Sequence, residues 1–314
     1  MIDRLAARYR RFAEAEARGH SPLYEAWASG VAEDADVLRF VAALPPAKQQ
    51  PNLLFAAVRW VAGTPRDWDA FREALLSRPD EMRSVMMTRN TQTNEPARCA
   101  VLLPVLAGLK GPLALLEVGA SAGLCLLPDC YGYDYGGQRL GKGEPVFPCR
   151  STGHVPTTLP HIVWRAGLDL NPIDPRDPDQ AAWLETLVWP DQPHRLARLQ
   201  AALAAARNDP PPVHRGDLRT DLPALAATAP RDATLVVFHT AVLGYLPDAG
   251  ERAAFAASSM KLDGVWISNE VPGVFPDITA KTTVSRPRGA FLLAVNGEPA
   301  AWTDPHGAWM EWLR

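Results

Sequence analysis

Residues 115–123 read Leu-Leu-Glu-Val-Gly-Ala-Ser-Ala-Gly. An apolar run ends in an acid, Glu117. Two glycines four apart follow, Gly119 and Gly123, with only Ala120, Ser121 and Ala122 between them. This pattern reads as a buried strand entering a tight turn. The missing side chains would let backbone N–H groups approach a ligand closely. The acid ahead of the turn sets it apart from the simplest phosphate-binding loops and points to a ligand that brings a cation or hydroxyl groups.

Other chemistry-bearing residues also follow apolar runs. Asp169 stands in Gly167-Leu-Asp-Leu-Asn-Pro172, Asp217 in Gly216-Asp-Leu218, His239 at the end of Leu235-Val-Val-Phe-His239, and Glu270 in Asn269-Glu270. In an open α/β sheet, ligands bind beyond the carboxyl ends of the strands, so these residues would converge. With an ordinary pKa of about 6.5, His239 could accept a proton near neutrality. Its plainer reading is a histidine hydrogen-bonded to backbone. Glu270 could orient a substrate amine or hydroxyl, or be a surface-loop acid. Tyr245 reads as packing under the sheet edge. The polar tract Thr88–Glu95 lies between apolar helices, and Gln92, Asn94 or Glu95 could reach a ligand from it. Asn94 also suits helix capping with Pro96 close behind. Tyr131, Tyr133 and Tyr135 alternate and share one face if extended, lining a pocket or packing in a strand.

The elements that must position these residues fall into two textures. The first ~110 residues read as helices by periodicity. Ile2, Leu5, Tyr9 and Phe12 share a face, Ser21-Pro22 offers a cap with proline at the first helical position, and Trp68, Phe71 and Leu75 mark a further helix. From Gly111, strand–turn–helix alternation begins, with strands expected at Leu113–Val118, Ile162–Leu168, Thr234–His239, Val265–Asn269 and Phe291–Val295. A long helix, roughly Gln180 to Ala206, carries Pro190 and Pro193 as interruptions. Asn296-Gly297 suits a hairpin turn. Such alternation implies an α/β fold with a mostly parallel sheet. Residues 130–160, rich in Gly, Tyr and Pro, read as an insertion. The expected organisation is a helical domain over 1–110 and an α/β domain over 111–314.

Composition narrows the function. The chain has 314 residues, 47% of them apolar, and a formal net charge of −3. That balance gives no general attraction to nucleic acid, and the apolar runs fall far short of a membrane span. The N-terminus lacks the apolar core of a signal peptide. The four cysteines show no metal-site spacing, so no metal is expected and reduced thiols in a bacterial cytoplasm are. The oligomeric state is not legible.

From Gly111 onward the chain resembles the class I S-adenosylmethionine-dependent methyltransferases, whose fold is Rossmann-like. The resemblance rests on the glycine motif Glu117–Gly123 (with Ser121 in place of the middle glycine), Gly167–Pro172, Gly216–Leu218 and Leu235–His239, in that order. It implies that Glu117, Gly119, Ala120, Ser121, Gly123, Asp169, Asp217 and Leu218 hold S-adenosylmethionine. Asp169 would take the ribose and Asp217 the adenine amino group. The gap from Gly123 to Asp169 is longer than the family's, and Asp134, in Tyr131-Gly-Tyr-Asp-Tyr135, competes for the ribose. Thr91–Pro96, the glycine motif, residues 133–136 and Trp189-Pro-Asp-Gln together also resemble an uncharacterised bacterial domain-of-unknown-function family.

The expectation is methyl transfer to a small molecule, with the helical domain covering the cofactor mouth. No Asn-Pro-Pro-Tyr tetrapeptide occurs, which counts against a nucleic-acid base as acceptor. The rivals are a degenerate fold serving as a ligand sensor or partner-binding module, and a nicotinamide-dependent oxidoreductase. The latter predicts a third glycine near position 124, where Leu124 and Cys125 stand.

Overall fold

The computed structural model describes residues 2–92 and 94–313. It divides into two compact units: residues up to 93 with Asp179–Ala197, and Asn94–Pro178 with the chain from Arg198 onward.

The first unit is helical, with helices at Ile2–Phe12, Pro22–Glu33, Ala35–Ala42, Pro51–Ala62, Trp68–Ser77, Pro79–Thr88 and Pro178–Leu187. Ser21 caps the second, accepting the Tyr24 N–H at 3.1 Å, and Pro22 follows where a missing N–H costs nothing. Aromatic rings fill its core. Tyr24 meets Phe55 edge-on at 4.9 Å, and Trp27 lies 4.8 Å from Phe71. The long helix expected at 180–206 is interrupted around Pro190 and Pro193, because proline cannot supply the N–H a continuing helix needs. Two helices result, Pro178–Leu187 and Pro193–Asn208. The first belongs with the helical unit because Trp183 is buried there, donating its Nε1–H to Asn90 O at 2.8 Å.

Among the described residues the second unit holds twelve strands: β1 Leu113–Val118, β2 Gly132–Tyr135, β3 Gln138–Leu140, β4 Val146–Pro148, β5 Arg150–Thr152, β6 Ile162–Asp169, β7 Val213–Arg215, β8 Thr234–Thr240, β9 Gly264–Glu270, β10 Phe291–Val295, β11 Glu298–Thr303 and β12 Trp309–Trp312. Nine form one sheet in the order β5-β12-β11-β10-β9-β8-β1-β6-β7. The block from β7 to β9 is parallel throughout. β10, β11 and β12 continue antiparallel, and β5 pairs parallel with β12 at the outer edge. Every residue of β1 is buried, as a central strand requires. Asn296 and Gly297 both take positive φ in the β10–β11 hairpin, the conformation a tight two-residue turn needs.

Two expectations change. The domain break expected near 110 falls at 93/94, because the helix Cys99–Gly108 packs with the sheet unit: its Ala100 carbonyl accepts the Tyr135 hydroxyl at 2.7 Å. The helix expected after the glycine turn is absent. Leu124–Leu126 makes one 3₁₀ turn, stopped by Pro128, and the chain continues into the small sheet β3-β2-β4. That sheet, with β5, is the insertion read at 130–160.

Candidate functional site

The glycine loop leaves β1 where the neighbouring connections diverge, β6 on one side and β8 on the other. In chain order the five parallel strands stand 3-2-1-4-5, so this is the switch point of a doubly wound sheet, the usual place for a ligand. Gly119 takes φ +71°, and a Cβ there would lie 1.9 Å from Val242 Cγ2. Ser121 takes the same left-handed conformation at φ 52°, uncommon for a residue with a side chain.

What holds the loop is a set of hydrogen bonds to its own N–H groups. Gly119 and Ala120 donate to Leu168 O at 2.8 and 3.4 Å, and Gly123 donates to Ala120 O at 2.7 Å. Ser121 donates to Asp169 Oδ2 at 2.8 Å, while Asp169 Oδ1 accepts the Asn171 N–H at 2.7 Å. Leu124 donates to Asn94 Oδ1 at 3.0 Å, and Asn94 Nδ2 donates to Ala120 O at 3.2 Å. Asn94 therefore clamps the glycine loop instead of capping a helix. Glu95 takes the capping position, accepting the Ala97 N–H at 3.4 Å. With these donors committed, the loop is not an open cradle for an anion.

Two acids lie at the loop. Asp169 is half-buried. Its carboxylate has room for about four hydrogen bonds, of which the two above are made. Glu117 is 2% exposed, and its Oε2 has no hydrogen-bond partner. Burial pushes its carboxyl well above the ordinary range, with Cys125 adding to the rise and Arg98 opposing it. Ser121 Oγ is likewise buried and unpartnered.

Asp217 lies on the turn after β7. Arg219 reaches its carboxylate at 2.6 Å and Glu251 at 2.8 Å, and this hydrogen bond holds the Asp217 carboxyl below its ordinary value. Leu218 is half-buried against the core around Leu116 and Val118.

His239 is fully buried. Trp266 Nε1–H donates to its Nε2 at 3.1 Å, and its Nδ1 lies 2.8 Å from Glu270 Oε1. An indole N–H can only donate, so Nε2 is an acceptor and the imidazole proton sits on Nδ1, facing Glu270. Glu270 Oε1 also accepts the Val242 and Leu243 N–H groups at 2.9 and 3.1 Å. Glu270 is 3% exposed. It is a core acid, not a surface-loop one. The neighbouring pocket, lined by Ser268, Glu270, Phe275 and Leu292 among others, encloses about 10 Å³, about the room one water needs.

The remaining candidates lie elsewhere. Tyr133 is buried, with its hydroxyl donating to Pro128 O at 2.6 Å. Asp134 accepts the Gly137 N–H at 2.7 Å inside the β2–β3 hairpin. It sits in the small sheet, apart from the carboxyl edge where Asp169 stands. Tyr245 is 62% exposed and does not pack under the sheet. Gln92 is half-buried in the helical unit, and Thr93 beside it lies outside the described residues. The sequence reading passed over Arg98, 7% exposed, whose Nη1 donates to Thr240 O at 3.1 Å. The available signal was a lone arginine directly ahead of the apolar run Cys99–Leu106.

Among the described residues no group of three or more His, Cys, Asp or Glu could hold a metal ion, and no helix is long and apolar enough to cross a membrane.

Sheet order and glycine loop define a doubly wound α/β protein carrying an N-terminal helical region. The chain belongs to a bacterial family described as "Uncharacterized protein conserved in bacteria (DUF2332)", whose model matches residues 6–312. A solved structure, that of a possible exported protein from Bordetella parapertussis, is similar at 13% identity over 88% of this chain and 73% of that one, with a TM-score of 0.30. No curated protein matches.

Proposed function

We propose that the protein binds S-adenosylmethionine at the carboxyl ends of β1 and β6 and transfers its methyl group to a small molecule. The observation that carries this reading is the loop's hydrogen bonding. The N–H groups of Gly119, Ala120, Ser121, Gly123 and Leu124 are committed to Leu168, Asp169, Ala120 and Asn94, and only a three-residue 3₁₀ turn follows. A dinucleotide brings a pyrophosphate, which wants free N–H groups and a helix N-terminus. A sulfonium nucleoside brings positive charge and hydroxyls, which suit acids. Asp169, with acceptor positions to spare, would take the ribose hydroxyls. The unpartnered Ser121 Oγ and Glu117 Oε2 are the polar atoms such a ligand would satisfy. Asp217 would share its carboxylate between Arg219 and an adenine amino group.

The bound cofactor would supply an already activated methyl group. The chain's part is to align the acceptor and exclude water. His239 has both ring nitrogens engaged and Glu270 props the Val242–Leu243 turn, so neither is assigned proton transfer. That same sealing favours a second reading, a sensor that binds the nucleoside without turnover. The four free thiols suit a reducing cytoplasm.

Calorimetric titration with S-adenosylhomocysteine, NADH and NADPH tests the proposal. Saturable micromolar binding of the nucleoside alone supports it. A preference for either nicotinamide cofactor, or no binding, overturns it.

A further inference from the structure

The turn between β11 and β12 brings a histidine to the edge where the parallel strands end. β11 runs antiparallel to β10, and β10 antiparallel to β9, so β11 points the same way as the parallel block. Its last residue, Thr303, donates its hydroxyl to Asn269 Oδ1 at 2.7 Å, near the end of β9. The turn that follows is tied down from within, Asp304 Oδ1 accepting the His306 and Ala308 N–H groups at 2.8 and 3.2 Å. Gly307 lies so close to Ala97 O that a Cβ would come within 2.0 Å. Arg98 fastens the turn to the sheet. Its Nε donates to Pro305 O at 2.9 Å and its Nη1 to Thr240 O, at the end of β8, at 3.1 Å.

This seating sets His306 against Glu95. Its Nδ1 is buried and lies 3.7 Å from Glu95 Oε2. The two side chains differ in exposure, 41% for His306 and 3% for Glu95. With Nδ1 buried, the exposed part of the ring is its outer edge, which carries Nε2. Glu95 is fixed in turn. Its Oε1 accepts the Ala97 N–H at 3.4 Å, and its carbonyl accepts the thiol of Cys125, just past the glycine loop, at 3.4 Å. A buried carboxylate behind one ring nitrogen holds the proton there and turns the lone pair of the other outward. His239 makes the same pairing with Glu270, but in the core and with its Nε2 already accepting from Trp266. His306 makes it at an exposed edge. Contacts of this kind commonly tighten only when a ligand arrives.

We infer that His306 is the general base of this edge, with Glu95 as its positioning residue, and that the methyl acceptor is a hydroxyl-bearing small molecule. The inference rests on the methyl-transfer reading above. A thiolate or carboxylate acceptor already carries the electron pair that attacks. A hydroxyl must lose a proton as its oxygen takes the methyl group, and His306 Nε2 takes that proton. The O–CH3 bond forms as the S–CH3 bond breaks, and the bonding pair stays on sulfur as a thioether. The imidazolium charge faces the Glu95 carboxylate until water carries the proton away.

Nitrogen-15 NMR on the full chain, labelled at histidine and read where the rings are neutral, shows where the proton sits. An imidazole side chain in water favours the Nε2–H form; His306, assigned by its loss in His306→Gln, is expected as Nδ1–H. Brief reaction with diethyl pyrocarbonate, read by peptide mass spectrometry, then measures how nucleophilic the ring is. Glu95→Gln should slow it at His306 about threefold or more and leave the exposed His161 and His214 unchanged. Glutamine keeps an oxygen for the Ala97 N–H, and thermal melts check the fold. Saturating S-adenosylhomocysteine, with its binding followed by calorimetry, should slow His306 by a similar factor, because base and methyl donor meet at one place. An Nε2–H ring at His306, or a rate that Glu95→Gln does not alter, would overturn the base and leave the cofactor reading standing. Labelling untouched by bound nucleoside would take His306 away from the methyl group and overturn its role. An Nδ1–H, Glu95-dependent ring in a protein that binds no S-adenosylhomocysteine would uphold the pairing and overturn the cofactor reading, and methyl transfer with it.

Discussion

Glu270 gathers three donors on one oxygen: the His239 ring, Val242 N–H and Leu243 N–H. Glu270→Ala leaves all three buried without an acceptor. At roughly 1–3 kcal/mol for each unsatisfied group, the loss should exceed about 3 kcal/mol and lower the melting temperature by around 10 °C. A melt within a degree of the parent would show that this hub is not structural. Asp217 belongs to a different regime. Its side chain is about a quarter exposed and Arg219's nearly half, so the pair contributes little and salt weakens it. Its folded carboxyl is depressed by Arg219. The pair's stability is therefore full above the unfolded value of about 3.9 and is lost as pH falls through the lower folded value. The difference between parent and Asp217→Ala should be constant from pH 6 to 8 and close only in acid. In the same variant, nucleoside binding should weaken without unfolding; undiminished binding in a folded variant would put the adenine elsewhere.

At the scale of elements, the loop between β1 and the 3₁₀ turn is set by backbone conformation. Gly119→Ala should destabilise the protein by more than about 1 kcal/mol, through both the φ of +71° and the approach of Val242 Cγ2. Adding Val242→Ala should recover part of the loss, because it removes the steric component and leaves the backbone one. Denaturant melts of the single and double variants measure this, and no recovery would mean that the conformation alone decides. The strands β1, β6, β8 and β9 were legible because buried parallel strands write themselves as apolar runs. β7 was not, since Val213-His-Arg is a three-residue edge strand with two exposed residues. The missing helix after Gly123 misled for the opposite reason. Leu124-Cys-Leu-Leu is apolar enough for a helix, and only Pro128 signals the stop. Asp169 beside the loop followed from its place at a strand end. The commitment of loop N–H groups to Asn94 and Asp169 did not, because side chains that close a loop and side chains that hold a ligand are the same residue types.

For the whole molecule, thiol chemistry gives a direct check on burial. Cys99, Cys125 and Cys149 are buried, Cys130 is exposed, and all four are free. A thiol reagent should therefore label about one group per native chain and all four in denaturant. Burial pushes the Cys149 thiol up to about 12, which keeps it slow even at alkaline pH. Rapid native labelling of two or more would show that the sheet unit opens around Cys99 and Cys125, next to Glu117.

The outer edge of the large sheet has a consequence for how the chain is made. β5 pairs only with β12 in that sheet, and the two lie about half the chain apart. On a ribosome, Arg150–Thr152 emerges long before Trp309–Trp312 is synthesised. Until then β5 has no berth, and β11 presents a bare edge to any passing strand. The last strand works as a clasp. A message truncated after Thr303 would yield a chain with most of its core and an open seam, a species that should be recognised by chaperones and proteases sooner than by its ligand.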